Sequence, residues 1–158
     1  MNSEKLISVL KDKNSILEGH FLLTSGLHSN YYIEKFRILE DPKLLNDVCI
    51  SMSEPFIDKK IDIILGAAIG GILLAGGVGR HLGKKHIFSE RVDGAMKLRR
   101  GFNISKGDRV LIVEDIITTG GSVFELIKLA LKVVPVSYLT VFISTDLKKG
   151  SVHNLYLL

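Results

Sequence analysis

Apolar positions along the chain alternate between short β-favouring runs and longer amphipathic stretches. Ser3 to Leu10 reads as a helix, and Phe21 to Thr24 and Asn30 to Ile33 as two short strands joined by a turn around Gly26. Asp41-Pro42 is a helix start, an acid at the N-cap followed by proline at the first helical position, and that helix should run to about Phe56. Beyond it Ile61 to Leu65 predicts a strand, Gly71 to Leu82 a helix and His86 to Ser89 a strand. Arg91 to Phe102 is charged and glycine-punctuated, which predicts a loop or flexible hairpin. Val110 to Val113, Val123 to Val133 and Ser137 to Ile143 complete a strand, a helix and a strand. This alternation after residue 60 predicts an α/β fold, a parallel sheet with helices packed on it. Ligands of such sheets bind beyond the C-terminal ends of the strands. Gly66 to Gly71 and Glu114 to Ser122 both follow such ends, so the two loops should face one crevice.

One stretch changes the picture from fold to chemistry. Val110-Leu-Ile-Val runs into two adjacent carboxylates, Glu114 and Asp115, then Ile116-Ile117 and the turn Thr118-Thr-Gly-Gly-Ser122. The order reads as buried strand, acidic strand end, tight loop and helix N-terminus. Backbone N–H groups of Thr119, Gly120, Gly121 and Ser122, with the hydroxyls of Thr118, Thr119 and Ser122, can cradle a phosphate against the helix dipole. The paired carboxylates can accept hydrogen bonds from neighbouring sugar hydroxyls or sit near a hydrated cation. A ribose phosphate offers both kinds of group. The chain has no Gly-x-x-x-x-Gly-Lys-Ser/Thr sequence, and Gly77-x-Gly79 lacks the third glycine of a dinucleotide fingerprint, with Leu82 in its place.

Composition bounds the rest. With 158 residues, 46% of them hydrophobic, there is material for one well-cored domain. A single cysteine, Cys49, excludes an internal disulfide and, lying in an apolar helical pattern, reads as core filler. Ile63 to Gly79 is uncharged but glycine-rich and only 17 residues long, so strand, loop and helix fit it better than a membrane span. The opening Met-Asn-Ser-Glu-Lys-Leu lacks a signal-peptide profile. The expectation is a soluble, cytoplasmic protein with no membrane partner. The net charge of +4 is uneven: residues 80–109 carry nine Lys/Arg against three acids, +6, which leaves −2 for the remainder. That patch has little aromatic interleaving and no DNA-reading motif, so a small polyanion fits it better than nucleic acid.

Val110 to Ser122 resembles the phosphoribosyl-pyrophosphate motif of type I phosphoribosyltransferases. The resemblance extends to Leu17 to Tyr32, Gly66 to Ile72 and Phe88 to Phe102, which together are similar to orotate phosphoribosyltransferases over roughly residues 15 to 146. It implies a single phosphoribosyltransferase domain over 1–158, with a small N-terminal hood at about 1–40 and the core sheet at about 41–158. It implies transfer of a phosphoribosyl group from phosphoribosyl pyrophosphate to orotate, with Mg²⁺ held through substrate and water and no direct protein ligand. A homodimer is implied, with a loop exchanged between subunits. Carried onto this chain, Glu114 and Asp115 would hold the ribose hydroxyls, and Thr118, Thr119, Gly120, Gly121 and Ser122 the 5′-phosphate. Gly70, in the loop Gly66 to Gly71, would lie along the pyrophosphate. Arg91 and Lys97 would neutralise the leaving pyrophosphate from the mobile loop, with Lys97 and Asp115 the residues expected to act in catalysis. Thr24, Tyr32 and Thr118 would contact orotate. Two positions depart from the family pattern: Thr24 stands where a hood lysine is expected, and Leu147 where an arginine commonly pairs with the orotate carboxylate. Lysines 148 and 149 follow, but an ammonium does not reproduce the bidentate fork of a guanidinium.

Overall fold

A computed structural model describes residues 3–23, 26, 28–117, 120–134, 136–146 and 151–157. The backbone opens with helix α1 (Ser3–Asp12), which buries Leu10. An antiparallel ribbon follows, β1 (Ile16–Leu22) and β2 (His28–Ile33). β1 starts five residues before the strand expected at Phe21. The ribbon is largely exposed and its register shifts between Glu18 and Phe21, so no period-two burial pattern marks it in the sequence. A single-turn helix, α2 (Phe36–Leu39), seats Ile38 and Leu39 in the core; the sequence did not announce it. α3 (Pro42–Ser53) begins as expected, with the Asp41 carboxylate accepting from the N–H groups of Lys43 and Leu44. Lys13 pairs with the same carboxylate at 2.8 Å, and its hydrogen bond does most to hold Asp41 below the usual carboxylate range. Glu54–Phe56 tightens into a 3₁₀ turn, which accounts for the predicted helix end near Phe56.

The remaining elements are β3 (Ile63–Ala67), α4 (Gly70–Leu82), β4 (Lys85–Val92), β5 (Ala95–Leu98), β6 (Val110–Ile117), α5 (Gly121–Leu131), β7 (Val136–Asp146) and β8 (Ser151–Leu157). They build one six-stranded sheet in the order β5-β4-β3-β6-β7-β8. The four central strands are parallel; β5 and β8 join antiparallel at the edges. β8 was not expected from the sequence. Side chains alternate cleanly through the centre of the sheet. Ile64, Leu111 and Val113 pack with α1, α2, α3 and α4, whereas Ile63, Leu65, Val110 and Ile112 pack with Val123, Leu126 and Ala130 of α5. Both faces are covered, which is why these strands read as unbroken apolar runs. Gly77 of α4 lies against Cys49 of α3 so closely that a Cβ there would strike the sulfur. Cys49 is fully buried, and burial pushes its thiol up to about 11, the property of core filler. Among the described residues, no helix is long and apolar enough to cross a membrane.

Candidate active site

The C-terminal ends of β3, β4 and β6 share one edge of the sheet because the strands are parallel. At that edge β6 parts from β3: their pairing ends at Gly66 and Val113, while pairing with β7 continues to Ile117. The acids therefore stand at a strand end on one side only, not at the end of β6 as such. Val113 and Ile116, three residues apart, both face the α3/α4 cluster, so the simple side-chain alternation is lost at Glu114 and Asp115 between them.

Both acids are buried, Glu114 at 5% and Asp115 at 3% exposure. Asp115 Oδ2 pairs with Lys35 Nζ at 2.6 Å. Glu114 Oε1 accepts from the Asp115 N–H at 3.4 Å, and Oε2 is buried without a hydrogen-bond partner among the described residues. Burial first, then the neighbouring Asp115 charge, raises Glu114 to about 8. Two carboxylates buried side by side favour holding a proton over carrying two charges, and burial and the Asp115 charge push Glu114 in that direction.

The loop from β3 to α4 closes against the acids. A Cβ on Gly70 would collide with the Asp115 carboxylate, and one on Gly66 with the Gly71 carbonyl. Glycine at these positions is what lets the loop backbone lie on β6. The Ala68–Ile69 peptide is cis, and the Ala68 N–H donates to the Ser89 carbonyl at 2.8 Å, tying the loop to β4. On the other side, Gly120 takes φ +81 ahead of α5, a conformation that leads the chain from strand into helix with the N–H groups of its first turn pointing outward. Gly121 and Ser122 are exposed there. Thr118 and Thr119 lie outside the described residues, as do Thr24 and Leu147.

The charged segment is an ordered hairpin. Asp93 and Gly94 both take positive φ, +53 and +77, between paired Val92 and Ala95, the geometry of a two-residue primed turn. The sequence, charged and glycine-punctuated from Arg91 to Phe102, predicted a loop or flexible hairpin without placing this turn. Arg91 pairs with Glu125 of α5 at 3.0 Å and donates to the Gly94 carbonyl at 2.7 Å, and Lys97 pairs with Asp93 at 3.2 Å. Arg100 forks onto Glu90 at 2.9 and 3.0 Å. The hairpin thus leans on α5 of its own chain, leaving a cleft of about 220 Å³ lined by Ala95, Met96, Glu125 and Lys128.

In the ribbon, the Tyr32 ring is 42% exposed and rests 5.6 Å from Phe21. His20 and His28 hydrogen-bond to each other across β1 and β2 at 2.7 Å, which suits a structural role. The structure therefore brings Glu114, Asp115, Gly70 and the start of α5 to one edge. The residue missed from the sequence is Lys35. A lone lysine eighty positions before its partner leaves no local pattern to read.

A buried acid pair, a close-packed glycine loop on one side and a helix N-terminus on the other are the parts that the sequence singled out for a phosphorylated sugar, and they lie together. A profile of the phosphoribosyl transferase domain matches residues 38–144. The chain belongs to that family, and within it to the orotate phosphoribosyltransferases. It is 47% identical over 129 residues to the orotate phosphoribosyltransferase of Caldicellulosiruptor bescii, covering 82% of this chain and 68% of the relative. Among solved structures it resembles the UMP synthase of Leishmania donovani, with TM-score 0.78 and 25% identity over 92% of this chain and 32% of that one. It also resembles orotate phosphoribosyltransferase from Aeropyrum pernix, with TM-score 0.70 and 26% identity over 86% and 79% of the two chains.

Proposed function

We propose that the chain transfers the 5-phosphoribosyl group of phosphoribosyl pyrophosphate to orotate, giving orotidine 5′-monophosphate and pyrophosphate in pyrimidine synthesis. The observation that carries this reading is the buried pair Glu114–Asp115, pressed against Gly70 in a chain so similar to orotate phosphoribosyltransferases. The bond from the anomeric carbon to pyrophosphate oxygen breaks, its electron pair leaving with pyrophosphate, while the orotate ring nitrogen forms the new bond and gives up its proton to the departing pyrophosphate or to solvent. Positive charge builds on the ribose, as in glycoside hydrolysis. Glu114 and Asp115 bind the ribose hydroxyls, and the N–H groups at the start of α5 bind the 5′-phosphate. The loop around Gly70 lies along the pyrophosphate.

Negative charge on the leaving group is met by Arg91 and Lys97 once the hairpin releases them from Glu125 and Asp93. Closure of that hairpin excludes water from the ribosyl centre. In this proposal the enzyme is a cytoplasmic homodimer whose hairpin serves the neighbouring subunit. Mg²⁺ supplies electrostatic stabilisation of the pyrophosphate. In this proposal the cation would be held through the pyrophosphate oxygens and water, while Asp115 is paired with the Lys35 ammonium. Thr24, Thr118 and Tyr32 are the proposed orotate contacts.

The test is pyrophosphate release from the donor with orotate, uracil, hypoxanthine and adenine in parallel. Turnover with orotate alone is the expected result. Turnover with another base, and none with orotate, would keep the donor site and replace the acceptor.

A further inference from the structure

Lys35 stands between the ribbon and the core, and its backbone is fixed from both sides. Its carbonyl accepts from the N–H groups of Ile38 and Leu39 at 3.0 and 3.1 Å, and those two residues are buried. The preceding Glu34 N–H donates to the Ser15 carbonyl at 2.7 Å. From this anchored position the side chain, 24% exposed, reaches across to the Asp115 carboxylate, 4% exposed. At 2.6 Å the ammonium fixes that carboxylate and commits its Oδ2 to a protein partner. The other acid has one buried oxygen, Glu114 Oε2, that accepts no hydrogen bond among the described residues.

We infer that Lys35 is a positioning residue: by pairing with Asp115 it divides the acid pair into one salt-bridged acceptor, Asp115, and one donor, Glu114, so that two neighbouring ribose hydroxyls meet one of each. The inference rests on the reading that this pair receives the ribose of the donor substrate. A pair of acceptors would require both hydroxyls to donate into adjacent negative charges at low dielectric. An acceptor beside a donor carries one charge and lets one hydroxyl donate while the other accepts. The tendency of Glu114 to keep its proton up to about 8 agrees with this division.

Among the described residues, no other charge competes for the role. β3 carries no titratable side chain, and α4 has Arg80 and His81 only in its last turn. On α5, Glu125 is paired with Arg91 and Lys128 lies at the hairpin cleft. Glu34, beside Lys35, accepts from the Phe36 N–H, and Tyr138 of β7 packs on Phe56. Lys35 and Asp115 are the charges that act on Glu114.

The test is calorimetric binding of phosphoribosyl pyrophosphate with Mg²⁺, without any acceptor, from pH 6 to 9. The wild-type chain should bind the donor less tightly on the alkaline side, as Glu114 loses its proton. Lys35→Met should weaken binding about tenfold or more at neutral pH and move the alkaline limb upward by about one pH unit, because a cation that favoured ionisation is gone. Lys35→Arg should restore both. A uniform loss with the limb unmoved, or no loss, would overturn the inference and leave Lys35 a structural tie. Should Lys35→Met not fold, carboxyl ¹³C titration of the wild type, assigned with Glu114→Gln, decides: a Glu114 titrating near the ordinary glutamate value would refute the donor role. Because no acceptor is present, a wrong acceptor leaves these results unaltered. A wild-type chain that does not bind the donor would instead overturn the proposed function.

Discussion

Two charged regions meet the crevice edge of the sheet, and they are built in opposite ways. On β6, Glu114 and Asp115 are buried, pressed by Gly70 and tied to one lysine. On the β4–β5 hairpin, Arg91 and Lys97 are about half exposed and paired with Glu125 and Asp93. Burial couples charges strongly, so the first pair governs where its own proton sits. Exposed pairs contribute about 0–1 kcal/mol and exchange partners easily. The pair on β6 suits preorganised binding; the hairpin suits cations that must let go of one anion to take another.

The largest effect should come from breaking the buried side. Glu114→Gln together with Asp115→Asn should leave a folded chain, since neither acid supplies apolar packing. Transfer activity should drop by about a thousandfold or more, as the charged acceptor Asp115 and the acid beside it are lost at the ribose. Circular dichroism and a pyrophosphate-release assay check both halves. Near-normal turnover in a folded double variant would remove the acid pair from the chemistry.

The same burial makes a pH prediction about stability. Glu114 titrates in the folded chain at about 8, above its ordinary 4.5, so the folded state binds the extra proton between those values. Its contribution is fully present below the ordinary value and is lost as pH rises through about 8. Glu114→Gln removes that dependence. Its unfolding free energy should gain on the wild type by a few kcal/mol across this window, at about 1.4 kcal/mol per pH unit. Urea melts at pH 5, 7 and 9 measure it. Parallel curves for the two proteins would show that Glu114 ionises normally.

How far the sequence foretold each region follows from the same contrast. The central strands of the sheet, α3, α4 and α5 were legible because burial on both sheet faces writes apolar runs, and Asp41-Pro42 writes a helix start. The hairpin was legible only as a charged, glycine-punctuated stretch, without its strands or its Asp93-Gly94 turn. The ribbon start at Ile16 and the short α2 were not, because an exposed two-stranded ribbon and a single turn leave no periodic trace. Glu114 and Asp115 were legible as a pair, since adjacent acids after an apolar run are unusual. Lys35 was illegible: its partner is chosen by the way the ribbon folds over β6.

On the hairpin, Lys97→Ala should separate function from stability. Loss of the exposed pair with Asp93 should shift the melting temperature by no more than a few degrees, whereas turnover should fall by about a hundredfold if Lys97 meets the pyrophosphate. Mixing Lys97→Ala with Asp115→Asn should return part of the activity that each lacks alone, if the hairpin serves the neighbouring subunit. No recovery despite measured subunit exchange would confine Lys97 to its own chain's site or outside the chemistry.

The smallest effect runs in the opposite direction. Glu125 holds Arg91 on α5 at 3.0 Å with both side chains well exposed, 46% and 37%. If Arg91 must leave Glu125 to reach the pyrophosphate, that pair competes with the substrate. Glu125→Gln removes the competitor's charge. Donor affinity should then tighten by about two- to fivefold, the equivalent of a surface pair worth under about 1 kcal/mol. Stability should hardly change. Calorimetry of donor binding at low and high salt checks the sign, and the gain should shrink as salt screens the pair. Weaker binding in Glu125→Gln would mean that Arg91 works from where Glu125 holds it. The hairpin would then be preorganised like β6, and the contrast between the two regions would fail at this point.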